Sequence, residues 1–215
     1  MSVILKCLEN LHIFPLYYTY NSITLILLSN KLQKCIVYNS LLYVQKSVSI
    51  RAKCCNLIGN LCRHSSRFYA ILSTSVSSDG NSDMTNYSMQ PISFPCSPLT
   101  ILTACCADVD ASTRKFACFA VGNAAFHCEA LYLALHRSIP LLTSAAESEA
   151  DEKTRANAAG AIGNLVRNGG VLAAEMARVG VPVTLLRSVL IETDLPTQRI
   201  ALFSLGTMAV YPSCR

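Results

Sequence analysis

The side chains of this sequence whose types and spacing could do chemistry are first of all thiols and imidazoles. Cys54, Cys55, Cys62 and His64 lie close together, and thiolates and imidazoles are the ligands that zinc prefers in proteins. A structural zinc site normally takes its ligands from two closely spaced pairs such as C-x-x-C, and no C-x-x-C pair occurs in the chain. The sequence therefore predicts no metal site and no cofactor, and we interpret these cysteines as small residues of a core.

Nucleophilic catalysis and phosphoryl transfer have no recognisable motif either. The chain contains no G-x-S-x-G turn, and His64, His127 and His136 have no nearby nucleophile that the sequence identifies. A Walker sequence is absent, as are the H-R-D and D-F-G motifs on which protein kinases depend. We therefore predict that this chain is not an enzyme.

Composition and charge limit the remaining classes. The chain has 215 residues, 52% of them hydrophobic and 14% charged, which is enough to bury a core and excludes wholesale disorder. Residues 1–48 carry a net charge of +3 and residues 49–215 only +2, without the long basic run that a phosphate backbone attracts. Nucleic acid is therefore not a predicted partner.

Eleven cysteines are too few for a secreted disulfide framework of this length, and the N-terminus lacks a recognisable signal peptide, so we expect a cytoplasmic location.

An internal repeat is the main feature of the chain. Four segments align, each with a Gly eight positions after an Arg or a Gln: residues 51–61, 114–124, 155–165 and 198–208. The repeated glycines are Gly59, Gly122, Gly163 and Gly206. A second marker, formed by Pro98, Pro140 and Pro182, recurs every 42 residues. Two independent markers with one period indicate tandem structural units of about 42 residues.

Each unit has the apolar spacing of one helix face. The positions three, four, seven and eleven residues after the Arg or Gln are apolar, as in Cys54, Cys55, Ile58 and Cys62 of the first unit, Cys118 of the second, and Ala201, Leu202, Leu205 and Ala209 of the fourth. This spacing predicts an amphipathic helix. Because Gly inside a helix costs about 1 kcal/mol relative to Ala, its return in all four units predicts close approach by a neighbouring helix.

The prolines predict a second helix in each unit. Proline is tolerated in the first helical turn, and Ser97 before Pro98 is a good N-cap. The predicted second helices are Pro98–Ala107, Pro140–Ala146 and Pro182–Ile191. The units therefore have the length of armadillo and HEAT repeats, and the predicted fold class is an all-α, right-handed solenoid of about four such units.

Two regions interrupt the repeat. We assign residues 49–215 to the repeat region, with a Ser-rich insertion at 73–97 that loop-closure entropy tolerates at small cost. Residues 1–48 form an unassigned hydrophobic segment without repeat markers. Three explanations remain open for it: a poorly matched preceding helix, a non-native stretch from a wrongly placed start or a retained intron, and a membrane or targeting element. The apolar run between Ser22 and Ser29 is too short for a membrane span, which argues against the third.

The repeated helices carry a candidate partner-binding surface on the side away from the apolar stripe. In a solenoid such positions stack side by side on one face. The candidate residues, which we call the ridge, are Asn56, Asn60, Arg63, Phe119, Asn123, His127, Asn157, Asn164, Arg167, Phe203 and Thr207. An Asn amide offers both a donor and an acceptor to the backbone of an extended peptide, which predicts protein binding. The alternative is that each Asn ties down a neighbouring loop or helix end.

Residues 57–61, 120–124 and 161–165, in which Gly-Asn follows an aliphatic residue, resemble the third-helix signature of armadillo repeats. The resemblance implies a right-handed α-solenoid whose third helices line a concave groove. Importin-type adaptors of this family carry a Trp four residues before the Asn, and here Asn56, Phe119 and Gly160 take those places. An importin-like transport adaptor is therefore only the second alternative.

A closer resemblance covers about residues 49–211. Residues 50–64, followed by Phe68 and Tyr69, and residues 114–127 resemble the C-terminal repeat region of Fused-type serine/threonine kinases. The resemblance implies a scaffold of Hedgehog signalling or cilium assembly, with kinesin-like or Suppressor-of-Fused-like partners and a cytoplasmic or ciliary location. Since the kinase motifs are absent, we predict a non-catalytic fragment of such a protein. The alternative is the regulatory region of an active kinase whose catalytic domain is encoded upstream.

Overall fold

The computed structural model describes residues 48–73 and 97–215, and no β-strand occurs among them. The predicted segment 1–48 and the predicted insertion at 73–97 lie outside these residues except for Val48, Ser73 and Ser97. None of the described helices combines the length and the hydropathy that a membrane span requires.

The helices follow one another in repeating groups of three. In chain order they are α1 (Val48–Arg63), α2 (Tyr69–Ser73), α3 (Pro98–Cys105), α4 (Ala111–Ala124), α5 (Tyr132–Leu135), α6 (Ile139–Ser148), α7 (Glu152–Arg167), α8 (Ala173–Arg178), α9 (Val181–Ile191) and α10 (Leu195–Met208). The predicted repeated helix is found as α1, α4, α7 and α10, and the predicted second helix as α3, α6 and α9. The ends of the second helices differ from the prediction by one or two residues, and a short additional helix precedes each of them.

Side-chain caps explain where the helices begin. Asp110, Asp151 and Asp194 precede α4, α7 and α10, and each carboxylate accepts the backbone N–H of the Thr three residues later, at 2.7, 2.9 and 2.9 Å. Such a cap satisfies one of the N–H groups that the first helical turn leaves unpaired. The predicted cap of α3 is also present, because Ser97 Oγ accepts the N–H of Thr100 at 3.3 Å.

The four repeated helices pack side by side as α1, α4, α7 and α10. The Asn157 amide donates to the Lys115 carbonyl oxygen at 3.2 Å, and the Asn168 amide donates to that of Phe126 at 3.2 Å. Both bonds join residues 42 apart in sequence, so α4 and α7 run parallel and in register over their whole length. The predicted all-α solenoid is confirmed.

The repeated glycines allow the close approach of these helices in three units. A Cβ atom added to Gly59, Gly122 or Gly163 would lie 3.2, 3.3 or 3.1 Å from a Cα atom of the following repeated helix. A side chain at these positions would press against a neighbouring backbone, as predicted. At Gly206 the prediction is wrong for the part of the chain that the structure describes, because an added Cβ would meet none of its atoms within 4 Å.

Small residues fill the core between the helices. Cys54, Cys55, Cys62 and Cys118 are at most 6% exposed, which confirms their interpretation as core residues. In the fourth unit the predicted apolar stripe is only partly buried. Leu202 is 55% exposed and Ala209 is also exposed, because no described helix packs on that side of α10.

Candidate partner-binding surface

The ridge residues lie on the parallel helices α1, α4, α7 and α10, or, in the case of His127, just after α4. All of them are half-buried or exposed. Because the helices stack in register, the structure brings these side chains onto one face of the solenoid. The predicted set therefore forms a continuous surface across the four units.

Most Asn amides of the ridge already hold a neighbouring backbone. Asn164 Nδ2 donates to the Gly122 carbonyl oxygen at 3.0 Å, as Asn157 Nδ2 does to that of Lys115. In α1, Asn60 Nδ2 donates within its own helix to the carbonyl oxygen and Oδ1 of Asn56, both at 2.9 Å. The sequence left open whether these amides bind a partner or tie down a neighbour. The amides of Asn157 and Asn164 tie α7 to α4, whereas that of Asn60 bonds within α1. An amide oxygen can accept two hydrogen bonds, so the Oδ1 atoms of Asn157 and Asn164 can accept from a partner.

Asn123 differs from the other ridge amides. Its Nδ2 atom is buried without a hydrogen-bond partner among the described residues. Its backbone carbonyl oxygen accepts the Tyr69 hydroxyl at 2.9 Å. An unpaired buried N–H group costs about 1–3 kcal/mol, so the Asn123 amide is an unsatisfied hydrogen-bond donor in the ridge.

Aromatic and basic side chains occupy one end of the ridge. The Arg167 guanidinium lies over the ring of Phe126, 4.4 Å from its centroid, and the His127 ring meets the same phenyl ring edge-on at 5.1 Å. His127 Nε2 lies 3.1 Å from the Cys62 carbonyl oxygen, which links α4 to the end of α1. Arg63 is exposed beside this contact. The arrangement exposes the cations of Arg63 and Arg167 together with part of the Phe126 side chain, and no ridge position carries a carboxylate.

The remaining ridge residues differ in exposure. Phe119 lies across Gly59 of the preceding helix, so close that an added Cβ would be 2.5 Å from its ring. Phe203 has the same repeat position in the fourth unit and is 70% exposed. The Thr207 hydroxyl donates to the Phe203 carbonyl oxygen at 3.0 Å. Aromatic surface is therefore available mainly at Phe203 and Phe126.

Sequence reasoning missed two Tyr side chains that hold the ends of the repeated helices. The Tyr132 hydroxyl donates to the Asn164 carbonyl oxygen and accepts from Asn168 at 3.1 Å, through both the backbone N–H and the side-chain amide. Tyr69 makes the corresponding bond to Asn123 and accepts the His127 N–H at 3.3 Å. Both tyrosines follow a large apolar residue at matching places in their units, which is the signal that could have revealed them.

The Arg of each repeat marker also has a structural role that the sequence did not reveal. Arg114 Nη1 donates to the Asp108 carbonyl oxygen at 2.9 Å and its Nη2 to Glu149 Oε2 at 2.9 Å. Arg155 repeats this pattern one unit later with Glu149 and Glu192. The hydrogen bond from Arg155 lowers the pKa of the Glu192 carboxyl more than burial raises it. These bidentate contacts join consecutive units on the side of the second helices.

Comparisons with known proteins agree with this architecture. A profile of the HEAT-like repeat family matches residues 111–165, which span α4 to α7. The crystal structure of an engineered protein, a structural-genomics target, is similar to this chain with a TM-score of 0.62 and 14% sequence identity, over 82% of this chain. The matched region spans 37% of that engineered protein, and at this identity the likeness concerns the fold alone. No curated protein matches the sequence. The chain is a helical repeat protein.

Proposed function

We propose that this chain is a non-catalytic scaffold that binds an extended segment of a partner protein along the ridge. The observation that carries the proposal is the surface itself, which combines half-buried Asn side chains on α1, α4 and α7 with the exposed Phe203 ring and the cations of Arg63 and Arg167, without a carboxylate at any ridge position. Helical repeat proteins bind partners along such extended surfaces.

The chemistry of the ridge favours an acidic partner segment. Amide oxygens at Asn157 and Asn164 can accept backbone N–H groups of an extended chain. Arg63 and Arg167 would pair with carboxylates of that segment, and Phe203 offers apolar area to its side chains. A basic nuclear-signal peptide would instead be repelled by Arg63 and Arg167. The importin-like alternative requires binding of such a peptide, so the charge of the ridge disfavours it.

A peptide-display experiment tests the proposal. Random sixteen-residue peptides are selected on the full chain, and the enriched peptides are titrated against the double variant Arg63→Glu/Arg167→Glu. We expect enriched peptides to carry acidic residues and to lose at least about tenfold in affinity, since each lost charged contact is worth about 1 kcal/mol or more. The control is Arg137→Glu, which reverses an exposed charge off the ridge and leaves binding unchanged. Enriched peptides that bind the double variant as tightly as the wild type would remove the proposal.

We further propose, from the resemblance of residues 50–64 and 114–127 alone, that the repeats belong to a Fused-like kinase of Hedgehog signalling or cilium assembly. Sequencing the full transcript tests this. An upstream reading frame that joins near Val48 and encodes H-R-D and D-F-G motifs would make the chain the regulatory region of an active kinase. An upstream frame with another domain would contradict the assignment, and kinesin-like or Suppressor-of-Fused-like proteins would then lose their standing as candidate partners.

A further inference from the structure

Four buried cysteines meet where α1, α3 and α4 pack together. Cys55 lies in α1, Cys105 is the last residue of α3, Cys106 follows it directly, and Cys118 lies in α4. None of them is more than 4% exposed. Their thiols form two hydrogen-bonded pairs, Cys55 with Cys105 and Cys106 with Cys118. Each pair brings two sulfur atoms from different helices into contact, which is the arrangement from which a disulfide forms.

An ion pair fixes the spacing between the two helices of the first pair. Arg51 of α1 donates from Nη2 to Asp108 Oδ1 at 2.8 Å, and its Nε lies 2.7 Å from Asp108 Oδ2. Arg51 lies four residues before Cys55, on the same side of α1, and Asp108 lies three residues after Cys105. The guanidinium and the carboxylate therefore hold the end of α3 against α1 beside the two sulfurs.

The two thiols of this pair differ in acidity and in exposure. The hydrogen bond that Cys55 donates, and to a smaller extent the Arg51 cation, lower the pKa of Cys105 although burial acts in the opposite direction. The same hydrogen bond, together with burial, raises the pKa of Cys55. Cys105 is 4% exposed and lies between the exposed Ala104 and Ala107, whereas Cys55 is 0% exposed. Cys105 is therefore the outer thiol and the one that becomes a thiolate, which is the nucleophilic form.

The second pair provides an internal comparison. The hydrogen bond with Cys118 and burial raise the pKa of Cys106 well above its usual value. The Cys106 thiol also donates to the Leu102 carbonyl oxygen at 3.7 Å, which keeps its proton in place. Cys118 is 0% exposed. Two sulfurs are thus in contact in both pairs, but only the first pair contains an activated thiol.

We propose that Cys105 and Cys55 are a two-cysteine oxidation site, which a hydroperoxide converts into a disulfide between α3 and α1. In the first step the Cys105 thiolate attacks one oxygen of the hydroperoxide, the O–O bond breaks, and hydroxide or alkoxide leaves. The peroxide is thereby reduced by two electrons, and the sulfur becomes a sulfenic acid. In the second step the Cys55 sulfur attacks the Cys105 sulfur, the S–O bond breaks, and the hydroxyl group leaves as water with the Cys55 proton.

Burial of the site selects the oxidant and gives the disulfide an effect on the fold. Hydrogen peroxide is little larger than water and reaches a sulfur at the end of α3 that bulkier alkylating reagents do not. The disulfide would close the loop between residues 55 and 105, which includes the Ser-rich insertion predicted at 73–97. Closing a long loop stabilises a fold mainly by restricting the unfolded chain. Oxidation would therefore hold α1 on the rest of the solenoid, whatever binds to the ridge.

Peroxide treatment of the full-length chain tests the inference. Serine first replaces the three cysteines outside the described residues and the two half-exposed ones, which are Cys7, Cys35, Cys96, Cys128 and Cys214. The reduced chain is freed of reductant, treated with hydrogen peroxide at pH 7, digested with trypsin and analysed by mass spectrometry without reduction. A disulfide of the first pair joins peptide 54–63 to 68–114, and one of the second pair joins 68–114 to 116–137. We expect the first linkage and not the second.

Single substitutions identify the two sulfurs. Alanine already occurs at the repeat position of Cys55 as Ala159 of α7, so Cys55→Ala suits the stack. This variant should lose the linkage completely and leave Cys105 as a sulfenic acid that dimedone traps. Cys105→Ala should lose both the linkage and the dimedone adduct. The matched controls Cys118→Ala and Cys54→Ala remove neighbouring thiols and should leave the linkage unchanged.

The melting temperature provides a readout of the disulfide itself. Oxidation should raise it by at least about 4 °C, and dithiothreitol, which is oxidised to its own cyclic disulfide, should restore the value of the reduced chain. In Cys55→Ala peroxide should not raise the melting temperature.

Three results would overturn the inference. A linkage between 68–114 and 116–137 in preference to the expected one would assign the chemistry to the second pair. A linkage that persists in Cys55→Ala would assign it to another thiol of α1. Oxidation of Cys105 to the sulfinic acid without any linkage would show that Cys55 does not reach it.

Discussion

The Arg155 guanidinium binds the Glu192 carboxylate at two points, with Nε 2.6 Å from Oε2 and Nη2 2.9 Å from Oε1. Its third nitrogen, Nη1, donates to the Glu149 carbonyl oxygen at 2.8 Å. One side chain therefore joins the ends of α6 and α9. Glu192→Gln keeps the shape but removes the charge, and we expect the free energy of unfolding in urea to fall by about 1.5–3 kcal/mol, the usual contribution of hydrogen bonds to a charged group.

A more exposed ion pair provides the control for Glu192→Gln. Arg187 of α9 pairs with Glu147 of α6, and their side chains are 55% and 39% exposed, against 20% and 6% for Arg155 and Glu192. We expect Glu147→Gln to change the free energy of unfolding by less than about 0.5 kcal/mol, because exposed pairs contribute little. Equal losses in the two variants would contradict a special role for Arg155.

The carboxylates between units predict loss of stability in acid. The hydrogen bond from Arg155 lowers the pKa of Glu192, and the hydrogen bond from the Thr154 hydroxyl lowers that of Asp151. A group with a lowered pKa in the folded state stabilises the fold above its unfolded pKa, about 4.3 for Glu and 3.9 for Asp, and this contribution disappears as the pH falls through the folded pKa.

Urea titrations at several pH values measure this dependence. The free energy of unfolding should be nearly constant between about pH 5.5 and 7 and should fall below about pH 4.5. In Glu192→Gln the decline in acid should be shallower, since one of the linked carboxylates is missing. If the free energy of unfolding depended on pH in the same way in the wild type and in the variant, Glu192 would not contribute to the loss of stability in acid.

Two glycines of the repeat should respond to substitution with opposite signs. A Cβ atom added to Gly163 would lie 2.9 Å from the Ser204 Cβ and 3.1 Å from its Cα, so Gly163→Ala should lower the free energy of unfolding by about 1–3 kcal/mol through overpacking. A Cβ atom added to Gly206 would meet no atom of the described residues within 4 Å, so Gly206→Ala should raise the free energy of unfolding by about 0.5–1 kcal/mol. Thermal and urea unfolding of both variants measure the difference. A lower free energy of unfolding for Gly206→Ala than for the wild type would contradict the open space found beside Gly206.

The sequence predicted the architecture because its markers are local consequences of packing. A Gly recurring at one helix position identified where helices approach, as Gly122 under Ala161 shows, and a Pro in the first turn located the second helices. The Asp-x-x-Thr caps at Asp110 and Asp151 are an equally local signal of where α4 and α7 begin. Local patterns of this kind need no knowledge of distant contacts.

Contacts between units could not be predicted in the same way. The partner of the Asn164 amide is a backbone carbonyl oxygen 42 residues away, and a backbone oxygen has no sequence signature. The exposure of Leu202 was missed for a related reason, since its apolar character is the same as that of its buried counterparts and only the absence of a described helix beside it distinguishes it. The periodicity of apolar residues identifies which face of a helix can be buried, whereas the packing of neighbouring helices determines whether that face is buried.

The Tyr132 hydroxyl should contribute strongly to stability. It donates to the Asn164 carbonyl oxygen and accepts from both N–H groups of Asn168, so Tyr132→Phe leaves these groups without their partner at a fully buried side chain. We expect a loss of about 1–3 kcal/mol in the free energy of unfolding. Tyr211→Phe is the matched control, because the Tyr211 hydroxyl makes no hydrogen bond within the described residues, and its loss should be below about 0.5 kcal/mol. Similar losses in the two variants would contradict a hydrogen-bonding role for Tyr132.

The buried thiols should be unreactive in the folded chain. Burial raises the pKa of Cys62 to about 12, so at pH 8 only about one molecule in ten thousand carries the thiolate that alkylating reagents attack. Cys128 and Cys214 are half-exposed and should be labelled first among the described cysteines by a pulse of N-ethylmaleimide, as read by mass spectrometry of peptides. The same pulse in denaturing urea should label Cys62 as readily as Cys128. Fast labelling of Cys62 in the native chain would contradict its burial in the core.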